Sequence, residues 1–116
     1  MANPNIVAVT TINGKTAVAN VANTAIELVV NTAGSNKIFK LNALILSNTS
    51  DTNTGIDVDI HRSNVAYHLA KNIIVPGDAS IDVLSKSVYL EEGDALRVTA
   101  AENDRIQSVC SYEEIS

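Results

Sequence analysis

The strongest structural pattern in the chain lies in Ile56–Leu69, which reads Ile-Asp-Val-Asp-Ile-His-Arg-Ser-Asn-Val-Ala-Tyr-His-Leu. Its first half alternates apolar and polar residues, the period of a β-strand with one dry face and one wet face. A turn at Arg62–Val65 reverses the chain, so that apolar residues meet on one face and charged residues on the other. The stretch therefore predicts an antiparallel β-hairpin. The expected opposing pairs are His61 with Ala66, Ile60 with Tyr67, Asp59 with His68, and Val58 with Leu69.

Further strands are predicted on both sides of the hairpin. Each is an apolar or alternating run bounded by turn-forming residues, and all five glycines fall in the breaks between such runs. Ile26, Leu28 and Val30 are expected on the core face of their strand, whereas Lys15–Asn23 has no clear pattern. The predicted strands are Ile6–Ile12, Thr24–Asn31, Lys37–Ser47, Ile81–Leu84, Val88–Leu90, Ala95–Ala101 and Arg105–Tyr112, with the last two forming a pair.

Two connections and one strand carry more specific signals. Asn13-Gly14 is a strong hairpin-turn signal and is expected to end the first strand. Pro76-Gly77-Asp78 suits a type II turn, with Pro first and Gly second. Lys37–Ser47 is the most apolar run, and Leu44–Leu46 within it indicates a strand covered on both faces at the centre of its sheet.

The length and composition allow one domain with an aliphatic core. The chain has 116 residues and a mass of 12.3 kDa, and only 3% of its residues are aromatic. Together with the strand pattern, this predicts a single-domain antiparallel β-sandwich of about eight strands, Ig-like or jelly-roll-like. The domain is expected to span residues 1–116, with a short N-terminal arm at residues 1–5. So few aromatic residues disfavour a sugar-stacking or base-stacking surface.

Charge and hydropathy disfavour two classes of partner. The formal net charge is −5 and the Lys and Arg residues are scattered, so no nucleic-acid partner is expected. No apolar run approaches the length of about 18 residues that spans a membrane, so no membrane partner is expected. Met1–Asn5 lacks the features of a signal peptide, and we expect synthesis and retention in the cytoplasm, at least until something is assembled from the protein. Cys110 is the only cysteine and is expected to be a small buried residue in a strand.

No catalytic, cofactor-binding or metal-binding residue is predicted. Asp51–Asp57 superficially resembles a calcium loop, but its glycine comes one position early and Arg62 stands where a bidentate Glu is required. A solvated turn is the favoured interpretation, and metal binding there stays open. His61 and His68 have no second ligand at metal spacing, and His68 is expected to pair with Asp59 across the hairpin. With no nucleophile or phosphate-binding motif, the chain is not predicted to be an enzyme or to need a cofactor.

Three segments follow a shared pattern, a hydrophobic strand ending in Ser-Asn, a proline turn, and Leu-Glu-x-Gly-Asp-x-Leu-x-Val-x-Ala. They are Lys37–Asn48, Val75–Asp78 and Val88–Ala100. With the opening Met1–Val7 and the closing Val109–Ser116, they resemble a group of small virion proteins of tailed bacteriophages. The chain is most similar to the proteins of marine cyanophages and related phages in that group.

This resemblance implies a non-enzymatic structural protein of the virion, present in many copies, with capsid decoration as the leading role. The implied partners are other virion proteins of the capsid or tail, and the implied location is the virion. Leu44–Leu46 and Ile73–Val75 contain more large aliphatic residues than one core can bury. This surplus favours a closed homo-oligomer such as a trimer. The alternative is that these strands are central to the sandwich. Contacts with a capsid or a neighbour are expected at residues 1–5 and Lys15–Asn23.

Two other functions stay open. A neck, tail or fibre module that binds a host receptor or glycan would use loops at one end of the sandwich, among them Thr49–Gly55 and Glu102–Asp104. A small hydrolase would require a cleft that gathers His61 or His68 with carboxylates.

Overall fold

A computed structural model of the chain describes Ala8 and residues 10–116. Within these residues the chain forms nine β-strands and no helix. The expected N-terminal arm at residues 1–5 lies outside the described residues. The strands are β1 (Ile12–Val21), β2 (Ile26–Val30), β3 (Ile38–Asn48), β4 (Thr54–Arg62), β5 (Val65–Val75), β6 (Ser80–Asp82), β7 (Val88–Leu90), β8 (Ala95–Ala100) and β9 (Ile106–Ile115).

The strands form two antiparallel sheets, which confirms the predicted β-sandwich. Sheet A has the order β1-β9-β3-β6, and β7 also pairs with β3, whereas sheet B has the order β2-β8-β4-β5. β6 and β7 pair with different parts of β3, so together they occupy one strand position in sheet A. Each sheet therefore has four strand positions, and the sandwich has eight. Most connections cross from one sheet to the other. This order is that of a jelly roll, one of the two predicted alternatives.

The core lies between the inner faces of the two sheets and is aliphatic. Burial of each large side chain contributes about 1.5–3 kcal/mol of stability. Phe39 is the buried aromatic residue of the core, and its ring centroid lies 5.5 Å from that of Tyr112. Cys110 is fully buried in β9, and this burial raises the pKa of its thiol to about 11. The fully buried apolar side chains include Leu41, Leu44, Leu46, Val58, Val75, Leu90, Leu96, Val98 and Ile106.

The β4–β5 hairpin confirms most of the predicted register. Its turn has positive φ at Ser63 (53°) and Asn64 (63°), as a two-residue type I′ turn requires. The prediction for Val58 is wrong, because Leu69 is an extra residue on β5 and Val58 pairs with Ala70 instead. The confirmed pairs are His61 with Ala66, Ile60 with Tyr67, and Asp59 with His68.

Strand β1 corrects the prediction for the first part of the chain. Asn13 and Gly14 do not form a turn but lie inside β1, which continues through the patternless Lys15–Asn23 as far as Val21. The described residues of Ile6–Ile12 before Ile12 lie outside any strand. Most side chains of β1 are exposed, so the strand carries little of the alternation that a half-buried strand shows. Gly55 also lies within a strand, β4, so the glycines do not all mark breaks.

A bulge in β2 reverses the expected face of one residue. Ile26 and Leu28 pack against the core as predicted, but Val30 is exposed and Val29 is buried. The register between β2 and β8 shifts between Glu27 and Val29, and one extra residue moves every following side chain to the other face.

The last two strands do not form the predicted pair. β8 pairs with β2 and β4 in sheet B, whereas β9 pairs with β1 and β3 in sheet A. The short connection between Ala100 and Ile106 therefore crosses the sandwich. Alternation identifies a strand but does not say to which sheet it belongs.

Strand β3 is central to sheet A, as predicted, between β9 and the β6–β7 position. It is not covered on both faces, because Ile45 is 39% exposed while Leu44 and Leu46 are fully buried. Ile73 and Ile74 of β5 are also exposed. The surplus of large aliphatic residues thus lies partly on the surface.

The connection after β5 is not the predicted type II turn. Positive φ occurs at Asp78 (58°) and not at Gly77, and the Ala79 N–H donates to the Pro76 carbonyl at 3.2 Å. Gly77 is needed for a different reason. A Cβ atom at this position would lie 2.5 Å from the carbonyl carbon of Asp51 in the neighbouring connection.

A buried asparagine closes one end of the sandwich. The Asn31 Nδ2 amide donates to the carbonyls of Lys37 (2.9 Å) and Leu90 (3.0 Å), and its Oδ1 accepts from the Ser35 hydroxyl (2.5 Å). The side chain is fully buried and satisfies backbone carbonyls where β2 and β7 end and β3 begins. At the opposite end of the sandwich, the Asn48 side-chain amide likewise donates to backbone carbonyls.

Candidate interaction surface

The residues considered for catalysis do not converge. His68 lies opposite Asp59 in the register, but the buried Asp59 carboxylate pairs with Arg97 on the neighbouring strand, with Nε and Oδ1 2.9 Å apart. The predicted position of His68 across from Asp59 is thus confirmed, and the ion pair of Asp59 is formed with Arg97. His61 lies on β4 opposite Ala66. In the described part of the chain, no three His, Cys, Asp or Glu side chains gather as a metal site.

The calcium-like sequence Asp51–Asp57 is divided between a connection and a strand. Its second half belongs to β4, which begins at Thr54. The Asp57 carboxylate accepts the Asn72 N–H at 2.7 Å and lies 3.6 Å from the Lys71 ammonium group. This carboxylate is thus engaged with β5.

The loops proposed for receptor binding lie at one end of the sandwich. The Thr49 N–H donates to the Arg105 carbonyl at 2.7 Å, which joins the β3–β4 and β8–β9 connections. The Asn103 side chain also accepts the Asn23 N–H at 2.7 Å. The structure therefore brings Thr49–Gly55 and Glu102–Asp104 together.

The outer face of sheet B is charged. The register places Glu27, Arg97, Asp59 and His68 in one row across its four strands. Glu27 and His68 in this row are exposed, whereas Asp59 is buried in its ion pair with Arg97.

The outer face of sheet A has a different character. Its central row consists of Val18 on β1, Val109 on β9 and Ile45 on β3, with exposed fractions of 70%, 37% and 39%. Val18, Val109 and their neighbours line a shallow depression of about 440 Å³. The row ends at Asp82 of β6, which pairs with Ile45. An exposed apolar row of this kind is typical of a surface that another protein covers. The flanking positions are Thr16, Ser111, Ala43, Asn20, Gln107 and Ser47.

A second apolar feature lies where β5 and β7 face each other at the side of the sandwich. Tyr67 and Tyr89 line an open cleft of about 400 Å³ there, together with Ile60, Arg62 and Val88. Both tyrosines are exposed. The cleft could hold a small ligand or a side chain of another protein.

A carboxylate between two lysines holds β1 to the rest of sheet A. Glu114 on β9 is buried and lies 2.8 Å from the Lys15 ammonium group of β1 and 2.5 Å from that of Lys37. Hydrogen bonds from Lys15 and Lys37 hold the pKa of Glu114 below its ordinary value of 4.5. The same bond from Lys15 raises the pKa of that lysine.

Glu114→Gln is expected to lower the free energy of unfolding by about 1 kcal/mol at neutral pH. Because the folded-state pKa of Glu114 is depressed, its stabilising effect is present above 4.5 and is lost as the pH falls through the folded value. Urea unfolding at a series of pH values should show the two proteins converging at acidic pH. Glu113→Gln is the control, since Glu113 forms no ion pair among the described residues. A constant difference across the series would contradict this assignment.

Comparison with known proteins identifies the fold but no family. No family model and no curated protein sequence matches the chain. The chain is similar to a solved subunit of the disulfide-linked pili that form Bacillus endospore appendages. The TM-score is 0.53 at 12% identity, over 90% of this chain and 85% of that chain. At this identity the likeness concerns the fold alone.

A weaker overlap occurs with a pentameric capsid protein from metagenomic phage sequences. The TM-score is 0.46 at 19% identity, over 84% of this chain and 59% of that chain. A second structure of a protein with the same description, solved by iodide phasing, overlaps equally. No helix in the described part of the chain could cross a membrane.

Sequence reasoning missed the residues that dominate these surfaces. Val18 stands among Ala, Asn, Thr and Lys residues, and no alternation marks it as a surface residue of a strand. Tyr67 and Tyr89 could have been noticed as two of only three tyrosines in a chain without tryptophan. Their meeting across the two sheets depends on the jelly-roll topology.

Proposed function

We propose that this chain is a non-enzymatic structural protein of a tailed-phage virion, present in many copies, with decoration of the capsid as its role. The observation that carries the proposal is the difference between the two outer faces of the sandwich. The central row of sheet B consists of Glu27, Arg97, Asp59 and His68. The central row of sheet A exposes Val18, Val109 and Ile45 and ends at Asp82 of β6. A subunit that attaches by one face and meets solvent with the other needs this asymmetry.

Three further observations support the same role. The sequence resembles small virion proteins of tailed phages over most of its length. The Bacillus appendage subunits, which have a similar fold, assemble into pili. The aliphatic core suits a protein that supplies stability and a repeated surface.

Labelling of purified virions with an antibody to this chain tests the proposal by electron microscopy. Labels distributed over the head are expected for a capsid decoration protein. Labels confined to the neck or tail would assign the chain to an attachment or fibre role. A chain absent from accessible, intact virions would contradict a virion function altogether.

The cleft lined by Tyr67 and Tyr89 favours a second candidate, a receptor-binding or glycan-binding module. Exposed tyrosine rings can stack on sugars, whereas the Arg62 guanidinium at the cleft is engaged by Asp94 and Glu91. A glycan array is the direct test. Binding that is lost in Tyr67→Ala and retained in Val30→Ala would favour this function.

A further inference from the structure

Sheet edges differ greatly in their capacity to accept another strand. Within the described residues, β6 and β7 have three residues each, and β2 has five with a register shift. β5 is long, but its register with β4 shifts twice and Asn72 on it takes a φ of 53°. Short length and bulges are features that prevent edge-to-edge pairing. β1 lacks them, since all of its ten residues pair with β9 without a shift.

We propose that two copies of this chain associate through β1, antiparallel across a twofold axis, so that their A sheets continue as one sheet. Among the described residues, no strand pairs with the outer edge of β1. A long, regular edge strand pairs best with another strand of the same kind. Within the described part of the chain, β1 is the one edge strand that is long and regular. Pairing of identical strands gives a closed, isologous contact.

The apolar row on sheet A determines the register of this contact. Opposing residues of an antiparallel pair lie on the same face of the sheet. With Val18 opposite Val18 of the second copy, the two rows of Val18, Val109 and Ile45 join into one continuous apolar row. Thr16 then lies opposite Asn20 of the second copy. Val18, which is 70% exposed in the single chain, is covered in this arrangement.

The charges on β1 are compatible with self-association. Lys15 is the charged residue of β1, and Glu114 of the same chain holds it at 2.8 Å. In the proposed register, the two copies of Lys15 are six residues apart along the strands, about 20 Å. This separation exceeds the Debye length of about 8 Å at physiological ionic strength, so their repulsion is screened.

Sedimentation velocity on the full chain tests the association. The wild-type chain is expected to form a species of twice 12.3 kDa or a multiple of it. Val18→Glu places two carboxylates opposite each other and should weaken the dimer by about a hundredfold. Val30→Glu is the control, an exposed valine on sheet B whose replacement should leave the dimer intact. A monomeric wild-type chain, or a dimer that a folded Val18→Glu variant retains, would overturn the proposal.

Engineered cysteines test the register. Under oxidising conditions, Val18→Cys should form a covalent dimer, and a mixture of Thr16→Cys and Asn20→Cys should crosslink. Thr16→Cys alone should not, because its counterpart lies about 13 Å away and a disulfide requires Cβ atoms about 4 Å apart. The buried Cys110 adds no background. Crosslinking of Thr16→Cys alone would overturn this register.

Residues 2–9 are the alternative occupant of the β1 edge. If their deletion converts a monomer into a dimer, the edge is covered by the chain itself and the proposal is wrong for the intact protein. A dimer in both forms supports the proposal. These results do not depend on where the chain lies in a virion, so this proposal and the proposed function can fail separately.

Discussion

Asn31→Asp is expected to lower the free energy of unfolding by about 3–4 kcal/mol. The substitution replaces an amide that donates to the carbonyls of Lys37 and Leu90 with a carboxylate oxygen that can only accept. One oxygen of the buried carboxylate then faces two carbonyl dipoles, while the Ser35 hydroxyl can donate only to the other oxygen. Urea unfolding followed by circular dichroism measures the loss.

The pH dependence of the Asn31→Asp loss identifies its cause. Burial favours the neutral form of the introduced carboxyl, so its folded-state pKa lies above the unfolded value of about 3.9. The destabilisation is then greatest at neutral pH and shrinks as the pH approaches the unfolded value. Asn64→Asp is the control, since Asn64 is exposed in the β4–β5 turn, where either residue tolerates positive φ. Equal losses at the two positions would refute the role of Asn31.

Gly77→Ala is expected to cost about 2–3 kcal/mol of stability. The added Cβ would lie 2.5 Å from the carbonyl carbon and 2.6 Å from the carbonyl oxygen of Asp51. These are backbone atoms, so the β3–β4 and β5–β6 connections must move apart to admit it. Gly14→Ala provides the comparison, because no atom lies within 4 Å of its added Cβ and its φ is not positive. Gly14→Ala should be neutral or slightly stabilising. Equal losses of melting temperature for the two variants would contradict the packing described.

The parts of the fold that could be predicted are those in which one face of a strand is buried. In Ile56–His61 the alternation is regular, and the hairpin register follows from it up to the bulge at Leu69. The bulges at Leu69 and within β2 could not be predicted, because one extra residue does not change the types of residue from which a strand is recognised. The prediction for β1 was wrong because its inner face is made mostly of small or polar residues and because Asn13-Gly14 is frequent in turns.

The candidate surface was predictable only in its general nature. The surplus aliphatic residues at Leu44–Leu46 and Ile73–Val75 indicated that the core would not consume them all, and Ile45, Ile73 and Ile74 are exposed. The row that joins Ile45 to Val109 and Val18 depends on pairing between strands far apart in sequence. Local periodicity carries no information about such pairing.

The position of β9 in the middle of sheet A has a consequence for biosynthesis. A ribosome releases β1 and β3 long before Ile106–Ile115, yet both strands use β9 as their shared partner. Sheet A therefore cannot form on the nascent chain until the last strand of the domain has emerged. A product terminated before Ile106 lacks the strand that holds the apolar row together. An assembly that binds this sheet therefore excludes truncated subunits, and no separate quality-control factor is needed.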